Sequence, residues 1–290
     1  MLFLFLLVDL IAIAQSSYFC GATNYTCRLQ TIFKERCNYS FVTFSPDSDY
    51  YLVTADEYLF IHVPKGTVTL GRDAFDVFTS LKGIVLQHMH LKDNVLDLTK
   101  HQSLESLVIR NLSLNDSTKI YYPNTKSRFQ LWLVQNDFKN FSLFNLRNLT
   151  NLYDLKLSEN NISEFSGNFS KFTSLEKLDF SANRISKFPK SLLASLKAEN
   201  LTEFAILKNE FDTLRNINFH EIAKHDQNLS VYINEVYEDF RLPFYEYEKR
   251  MNCSCDDVIF KGHNHSILRG VCTAPDQYRD ESIGSFIKKC

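Results

Sequence analysis

Apolar residues recur along most of the chain at a nearly constant spacing. The clearest units follow the pattern L-x-x-L-x-L-x-x-N-x-L and begin at Leu152, Leu175 and Leu201. Weaker units precede them, so that seven consecutive units have first positions at 58, 81, 104, 128, 152, 175 and 201. The steps of 23, 23, 24, 24, 23 and 26 residues keep one phase, which scattered leucines would not do. The sequence therefore predicts an array of stacked repeats.

Each unit predicts one short β-strand, because the alternation x-L-x-L-x places leucines on one side and the x residues on the other. An asparagine at the ninth position is expected to satisfy backbone groups where the chain turns out of the strand. The later units have Asn136, Asn160, Asn183 and Asn209 there, and the first three have Gly66, Met89 and Leu112. Val231 and Ile233 predict a last, degenerate strand.

Apolar residues also follow each turn, and their positions keep the phase of the repeat. They are predicted to form a buried spine on the outer side of the array, where many of the 25 phenylalanines would lie. The spine comprises Phe75, Phe78, Phe141, Phe144, Phe165, Phe169, Phe172, Leu192, Leu193 and Leu196.

The outward positions of the predicted strands fall into three columns. The central column contains His62, Val85, Val108, Trp132, Lys156, Asp179, Ala205 and Tyr232. One neighbouring column includes Gln87, Arg110, Val134, Ser158 and Ser181. The other includes Phe60, Gly83, Ser106, Gln130, Asp154, Lys177 and Glu203. An apolar stripe of Val85, Val108, Trp132 and Val134 thus lies beside a mixed-charge patch, which consists of Asp154, Lys156, Lys177, Asp179 and Glu203.

An exposed apolar stripe with a tryptophan and an arginine nearby has the composition of a protein-binding hot spot. The predicted ligand-binding residues are Val85, Val108, Arg110, Trp132, Val134, Asp154, Lys156, Lys177, Asp179 and Tyr232. On this hypothesis Trp132→Ala weakens partner binding by ~2 kcal/mol or more without lowering secretion. The alternatives are that neighbours or glycans cover Trp132, or that a strand register is shifted by one residue.

The two ends of the chain differ from the repeats. Residues 1–14 are nearly all apolar and end in Ala12-Ile13-Ala14, which predicts a cleaved signal peptide; an N-terminal membrane anchor is the alternative. Residues 15–57 form a predicted N-terminal cap, in which residues 40–44 and 50–53 alternate as strands do. The repeats occupy residues 58–240, and residues 241–290 form a cysteine-bearing C-terminal cap. No later segment predicts a membrane span.

Cysteines and glycosylation motifs point to an extracellular compartment. All seven cysteines lie near the ends, with none between Cys37 and Cys253. Twelve Asn-x-Ser/Thr motifs occur, and Asn252 sits beside Cys253, which favours its staying unused. The predicted glycosylation sites are Asn24, Asn38, Asn111, Asn115, Asn140, Asn148, Asn161, Asn168, Asn200, Asn228 and Asn264. The near balance of 32 basic and 34 acidic residues does not favour a nucleic-acid partner.

The repeat pattern resembles that of leucine-rich-repeat (LRR) proteins. The resemblance implies an α/β-type solenoid, a horseshoe with a parallel concave sheet, an irregular convex side and disulfide-bonded caps. Cys253-Ser254-Cys255, followed by Cys272 and Cys290, resembles the four-cysteine C-terminal cap of these proteins, as do Leu242-Pro243-Phe244 and Cys272-Thr273-Ala274-Pro275. The resemblance implies the pairs Cys253–Cys272 and Cys255–Cys290, although spacing alone allows three pairings.

The N-terminal cap holds three cysteines, so they cannot all pair with one another. We favour Cys27–Cys37, which leaves Cys20, and Cys20–Cys37 is an open alternative. An odd cysteine in a secreted chain suggests an intermolecular bond. The hypothesis is a disulfide-linked dimer, which reductant would convert to half its size on a gel.

No catalytic constellation, phosphate loop or cofactor motif stands out, so the sequence predicts a binding protein and not an enzyme. His88-x-His90 and His263-x-His265 are interpreted as surface residues and not as metal ligands. The phenylalanine-rich repeats, many glycosylation motifs and cysteine-bearing N-terminus resemble short insect, mosquito-type LRR immune proteins. That resemblance implies a soluble immune factor that binds a protein or glycan on its concave face. An adhesion or receptor ligand of the neuronal or matrix type is the alternative, and an enzyme inhibitor is a third.

Overall fold

The computed structural model describes residues 18–20, 42–44, 49–55, 58–65, 68–72, 74–76, 80–196, 200–211, 216, 230–232, 268–269, 272, 277 and 285–286. The chain divides into two compact units, Met1–Phe129 and Gln130–Cys290. Several predictions lie outside the described residues: the signal peptide, Gly66, Phe78, Ile233, Cys27, Cys37, Cys253, Cys255, Cys290, Asn24, Asn38, Asn228, Asn252 and Asn264.

The described part of the first unit contains ten strands and one 3-10 helix, Lys92–Asn94. The strands are β1 (Tyr18–Cys20), β2 (Val42–Phe44), β3 (Asp49–Ala55), β4 (Tyr58–Lys65), β5 (Val68–Leu70), β6 (Gly83–Gln87), β7 (His90–Leu91), β8 (Val95–Asp97), β9 (Ser106–Arg110) and β10 (Lys119–Tyr121).

The main sheet of the first unit has the strand order β1-β3-β4-β6-β9. β1, β3 and β4 pair antiparallel, whereas β4, β6 and β9 pair parallel. β2 and β3 therefore confirm the two strands that the alternating N-terminal segments predict, and β3 pairs with the strand of the first repeat. Buried apolar residues alternate along β6 and β9, as the repeat pattern requires.

The register of the first repeat differs from the prediction by two residues. Phe60 pairs with Val85, and His62 pairs with Gln87, so Phe60 and not His62 belongs to the central column. Leu59 and Ile61 are the buried residues that align with Ile84 and Leu86. A two-residue shift keeps every side chain on the same face, so the apolar alternation of this strand does not distinguish the two registers.

The described part of the second unit is also built from stacked strands. Its strands are β11 (Phe129–Val134, whose first residue belongs to the first unit), β12 (Asn140–Ser142), β13 (Leu152–Lys156), β14 (Glu164–Ser166), β15 (Lys177–Asp179), β16 (Glu203–Ala205), β17 (Ser230–Tyr232) and β18 (Leu268–Arg269). The main sheet has the order β11-β13-β15-β16-β17-β18, and the pairs from β13 onward are parallel. β17 confirms the degenerate strand at Val231, and β18 adds a strand within the region predicted as the C-terminal cap.

The returning segments are more regular than the predicted irregular convex side. β8 and β10 pair parallel in the first unit, and β12 and β14 do so in the second. A 3-10 helix, Leu143–Leu146, follows β12, and an α-helix, α1, spans Lys190–Ala194. Residues three apart share one side of a 3-10 helix, so Leu143 and Leu146 are buried and Phe144 is 62% exposed. The predicted burial of Phe144 is therefore wrong.

Buried phenylalanines dominate the core of the second unit. Phe169, Phe180, Phe188 and Phe204 have almost no exposed surface, and the Phe188 ring lies 5.9 Å from that of Phe180 and 5.7 Å from that of Phe204. Aromatic rings at such distances gain about 0.5–1.5 kcal/mol per pair beyond area burial. The remaining described members of the predicted spine are buried, apart from Phe144 and the partly buried Phe165.

The ninth-position asparagines of the second unit are buried and couple adjacent repeats. Asn183 donates from Nδ2 to the backbone oxygens of Leu157 and Phe180, both at 2.9 Å, and its Oδ1 accepts the Ile162 N–H at 2.9 Å. Asn209 makes the corresponding bonds one repeat later. Asn160 donates in the same way one repeat earlier, but its Oδ1 accepts the Asn136 N–H at 3.1 Å. The predicted role of these asparagines is confirmed.

Candidate functional site

Five charged residues occupy neighbouring outward positions on three strands of the second unit. We call Asp154, Lys156, Lys177, Asp179 and Glu203 the charged cluster. Asp154 pairs with Lys177, and Lys177 with Glu203, in the register of β13, β15 and β16. Lys156 pairs in the same way with Asp179, whose row continues through Ala205 to Tyr232. Strands lie about 4.8 Å apart, so opposite charges stand next to each other in both rows.

Ion pairs connect the lysines of the charged cluster to its two outer carboxylates. Lys156 Nζ lies 3.3 Å from Asp179 Oδ2, and Lys177 forms an ion pair with Glu203. Asp179 Oδ1 also accepts the Ser181 N–H at 2.8 Å, which fixes its rotamer. The sequence predicted these four residues, together with Asp154, as a mixed-charge patch, and the structure brings the four together within one unit.

Trp132 is not the exposed ring that the sequence predicts. Only 8% of its surface is exposed, and the neighbouring outward residue Val134 is buried as well. Lys156 Nζ lies 5.5 Å from the centre of the Trp132 ring, a cation–π distance. The alternative in which Trp132 is covered by its neighbours therefore holds in this structure.

Asp154 is the buried acid of the charged cluster. It is 4% exposed, and its Oδ2 has no hydrogen bond of normal geometry within the described residues. Burial raises the pKa of Asp154 to about 6, against smaller lowering effects of the Trp132 indole N–H, Lys177 and Lys156. The indole N–H is a donor near this carboxyl, but at poorer geometry than a well-formed hydrogen bond. Asp154 can therefore exchange a proton close to neutral pH.

Aromatic side chains lie on the outward face of β4, the strand at which the main sheet of the first unit changes from antiparallel to parallel pairing. Tyr58 is 52% exposed and its ring lies over Gly83, where a Cβ atom would come within 2.4 Å of Tyr58 Cδ1. Phe60 stacks on His62, with ring centres 6.3 Å apart. Glycine is thus required at position 83 for the close approach of the Tyr58 ring.

The predicted binding residues of the first unit lie on the adjoining strands. Val85, Val108 and Arg110 are partly buried at outward positions of β6 and β9, with Val85 directly opposite Val108. They contribute a small apolar surface with one guanidinium. Of the four residues of the predicted apolar stripe, the first unit therefore contains these two valines.

A histidine pair lies at the end of this face. The ring centres of His62 and His88 are 5.1 Å apart, and Asn111 Nδ2 lies 2.9 Å from His88 Nδ1. Burial, and then the nearby His88, lower the pKa of His62, so its neutral form is favoured. No group of three or more His, Cys, Asp or Glu residues that could hold a metal ion occurs among the described residues. None of the described helices is long and apolar enough to span a membrane.

Seven of the predicted glycosylation sites belong to described segments, and none of their asparagines is buried. Asn111, Asn140, Asn148, Asn168 and Asn200 are exposed, whereas Asn115 and Asn161 are partly buried. The four ninth-position asparagines are all buried. Burial therefore distinguishes the ninth-position asparagines from the asparagines of the glycosylation motifs.

Comparison with known proteins gives one recurrent relative. No protein-family model matches the chain. Lumican is 28% identical over 130 residues in Coturnix japonica, 32% over 130 in Rattus norvegicus and 30% over 129 in Homo sapiens. Each alignment covers 44% of this chain and 38% of the relative, so the chain spans well under half the length of the lumicans it matches.

Lumican is itself built from leucine-rich repeats, and the matching chain shows in-register repeats with buried ninth-position asparagines. The repeats of this chain are therefore similar to those of leucine-rich-repeat proteins. Solved structures similar to this chain include an internalin (inlF) of Listeria monocytogenes, with a TM-score of 0.39 and 18% identity over 57% of this chain and 45% of that one. An internalin C2 of the same species has a TM-score of 0.38 and 20% identity over 61% and 80%.

Sequence reasoning missed two features of the outward surface. The aromatic run Tyr58, Phe60 and His62 was divided between columns, although aromatic residues at alternate positions of one strand are a visible signal. Asp154 was placed among the surface charges, and its burial depends on how Trp132 and Lys156 pack over it. No sequence pattern carries that information.

Proposed function

We propose that this LRR protein is an extracellular binding protein whose ligand, a protein or a glycan, contacts the outward face of the parallel strands. The observation that carries the proposal is the charged cluster. Exposed ion pairs add only about 0–1 kcal/mol to stability, and a buried unpaired carboxylate lowers stability. A cluster of five charges on one sheet face is therefore poorly explained by folding alone, and recognition is the better explanation.

Tyr232 and Arg110 extend this proposed surface in their own units. Tyr232 is 38% exposed in the row of Lys156 and Asp179, and tyrosine and arginine are enriched among residues that dominate binding energy. In the first unit the proposed surface comprises Val85, Val108 and Arg110. Trp132 lies against Lys156 of the charged cluster and Val134 is buried, so we propose that both support the surface and do not contact the ligand directly.

The extracellular location is supported by several independent features. The N-terminal signal pattern, twelve glycosylation motifs and end-loaded cysteines agree with secretion. The described sites among those motifs have no buried asparagine, so glycans are compatible with the fold. Cys272 is buried and disulfide-bonded, which fits an oxidising compartment.

The cysteine arrangement remains part of the proposal. The pairs Cys253–Cys272 and Cys255–Cys290 would close the C-terminal cap, and Cys27–Cys37 or Cys20–Cys37 the N-terminal one. The remaining cysteine would form a disulfide-linked dimer. Electrophoresis with and without reductant tests the dimer, and one size under both conditions contradicts it.

Two matched tyrosines test the binding surface. Tyr232 and Tyr121 are 38% and 42% exposed, but only Tyr232 lies on the outward face of the main sheet, whereas Tyr121 lies in the returning strand β10. A ligand isolated from the extracellular fluid with the secreted protein is measured against both alanine variants. Tyr232→Ala should raise its Kd about 30-fold, the equivalent of about 2 kcal/mol, and Tyr121→Ala less than about 2-fold. Equal effects of the two variants would contradict the proposal.

An innate-immune role is our first biological assignment, carried over from the resemblance to short insect LRR proteins. The second is an extracellular adhesion or receptor ligand, favoured by the similarity to lumican, which is not an insect protein in any of the three species compared. Induction by infection and binding to microbial cells would support the first role. Constitutive expression with binding to receptor ectodomains would support the second.

A further inference from the structure

Phe144 is the most exposed large hydrophobic side chain in the described part of the chain. Its exposed fraction is 62%, whereas Leu143 and Leu146 of the same 3-10 helix are buried. The other exposed large hydrophobic residues among the described ones are tyrosines, which carry a hydroxyl group that water can bind. Phe144 has no polar atom in its side chain, so its ring gains free energy from any group that covers it.

A neighbouring turn brings a glycosylation motif close to this ring. Gly167 has a φ of 92°, and a Cβ atom placed on it would lie 3.1 Å from Leu143 Cβ and 3.5 Å from Phe144 Cδ2. Asn168 is the next residue, and consecutive Cα atoms are about 3.8 Å apart, so Asn168 Cα lies within about 9 Å of the Phe144 ring edge. A sugar linked to the side chain of Asn168 has the size to cover that distance.

The side chain of Asn168 is free to carry a glycan in the folded protein. It is exposed, and its Oδ1 accepts the Ser170 N–H at 3.1 Å as well as the Ser170 hydroxyl. These are its only side-chain hydrogen bonds within the described residues, so Nδ2, the atom that a glycan modifies, has no partner to lose. Asn111 differs, because its Nδ2 lies 2.9 Å from His88 Nδ1. A glycan on Asn168 therefore breaks no contact of the second unit.

We propose that Asn168 carries an N-linked glycan whose first N-acetylglucosamine packs on the exposed ring of Phe144. The C–H bonds on the flat face of the sugar have partial positive charge, and the face of an aromatic ring is negative. The contact also removes the apolar ring from water. Asn140 and Asn148 are exposed asparagines of motifs before and after the same helix, so a glycan on either one is the competing occupant.

This contact lies on the returning side of the second unit and not on the proposed binding surface. Phe144 follows β12, and Gly167 follows β14, and these two strands pair with each other outside the main sheet. The contact rests on the proposed extracellular location, because N-linked glycans are added to secreted chains. It assigns the glycan a structural role, which is to cover an apolar side chain that the protein fold leaves exposed.

The experiment uses the full chain, secreted by cells that are fed isotope-labelled glucosamine and trimmed to one N-acetylglucosamine at each site. Mass spectrometry of glycopeptides should show that Asn168 is occupied. In the carbon–proton NMR spectrum one sugar should have upfield-shifted protons, because it lies over an aromatic ring, and Asn168→Gln should remove that signal. An unoccupied Asn168, no shifted sugar, or a shifted sugar that only Asn140→Gln or Asn148→Gln removes overturns the proposal.

Variants of the helix separate the ring from the local fold. Phe144→Ala should return the shifted signal to the positions of the other sugars, and Phe144→Tyr, which keeps a ring, should leave it upfield. The control is Asn145→Ala, which truncates the neighbouring exposed side chain and should change nothing. Because most of the Phe144 ring is exposed, its truncation leaves the core of the unit intact. A shifted signal that persists in Phe144→Ala overturns the proposal.

Release of the untrimmed glycan from the folded protein gives a second measurement. A peptide N-glycosidase should remove the Asn168 glycan about 5-fold faster from Phe144→Ala than from Asn145→Ala, because the contact that protects it is lost. Release at Asn200, an exposed motif asparagine of the same unit, should be equal in both variants. Equal rates at Asn168 overturn the proposal. A chain without any N-linked glycan overturns the extracellular location as well, whereas an occupied Asn168 without a shifted sugar overturns this contact alone.

Discussion

The two units make the same turn after each main strand with different side chains. A residue with positive φ leaves the strand at His88 and Asn111 in the first unit, and at Glu159 and Ala182 among others in the second. The next residue is a buried asparagine in the second unit, but Met89 or Leu112 in the first. The left-handed turn therefore does not require the asparagine, and neither set of turn residues uses glycine.

What the asparagine adds is hydrogen bonding between repeats. In the second unit its amide reaches backbone groups of two consecutive repeats. In the first unit the amide that is present belongs to Asn111, one position earlier, and it meets His88 of the preceding repeat at the surface. The second unit is thus held by buried polar contacts and a phenylalanine core, and the first by aliphatic packing at the same turn.

Removal of the Trp132 ring should lower the free energy of unfolding more than any other change considered for the two units. Because the ring is buried, Trp132→Ala should lower the free energy of unfolding by about 4 kcal/mol, the usual result of a large cavity. The corresponding change Val108→Ala, on the partly buried face of the first unit, should remove about 1 kcal/mol. Urea unfolding followed by circular dichroism measures both. If the Trp132→Ala protein is as stable as the wild type, the ring is not buried, and the exposed position predicted from the sequence is correct.

Exchange of the asparagine for the residue type of the first unit should have the next largest effect. Asn183→Leu leaves the oxygens of Leu157 and Phe180 and the Ile162 N–H without this partner, and should lower the free energy of unfolding by about 3 kcal/mol. The control is Asn145→Ala, an exposed asparagine outside any glycosylation motif. If Asn183→Leu unfolds like the wild type, the two kinds of turn are equivalent.

Most of the fold follows from the sequence, because the inward apolar positions and the asparagine spacing both repeat with one phase. The registers of β6 with β9 and of β13 with β15 and β16 match the predicted columns. The first repeat was misaligned because Leu59, Ile61 and Val63 alternate equally well in either register. The sequence predicted which residues form the charged cluster of the second unit. It did not predict the burial of Trp132 and Asp154, because that burial depends on side chains from three strands.

The buried acid of the second unit should make that unit less stable as the pH rises. Its pKa is about 6 in the folded protein and near 3.8 when unfolded, so the folded state binds the proton more tightly. The contribution is complete below about pH 4 and is lost as the pH rises through about 6. Asp154→Asn should remove this slope and stabilise the protein at pH 7.5 by about 2 kcal/mol, below the limit of about 3 kcal/mol set by the shift, because the amide stays buried. A retained slope would contradict the assignment.

Asp97 should give the first unit the opposite pH dependence, with the smallest effect of the four. Burial alone would raise the pKa of Asp97, but hydrogen bonds from Thr99 and from Arg72, at 2.7 and 2.9 Å, lower it below its usual value. Its stabilisation is therefore present above about pH 4 and is lost as the pH falls further.

Asp97→Ala, which unlike asparagine creates no glycosylation motif with Thr99, should lower stability at neutral pH by less than about 1 kcal/mol, because the carboxyl and Arg72 are partly solvated. Hydrogen exchange of the backbone amides, followed by unit at pH 4 and pH 7, separates the two acids. Asp97→Ala should reduce protection in the first unit at pH 7, whereas Asp154→Asn should increase protection in the second. If both variants shift both units equally, the two units unfold together, and the opposite signs of the two acids would appear only in the stability of the whole chain.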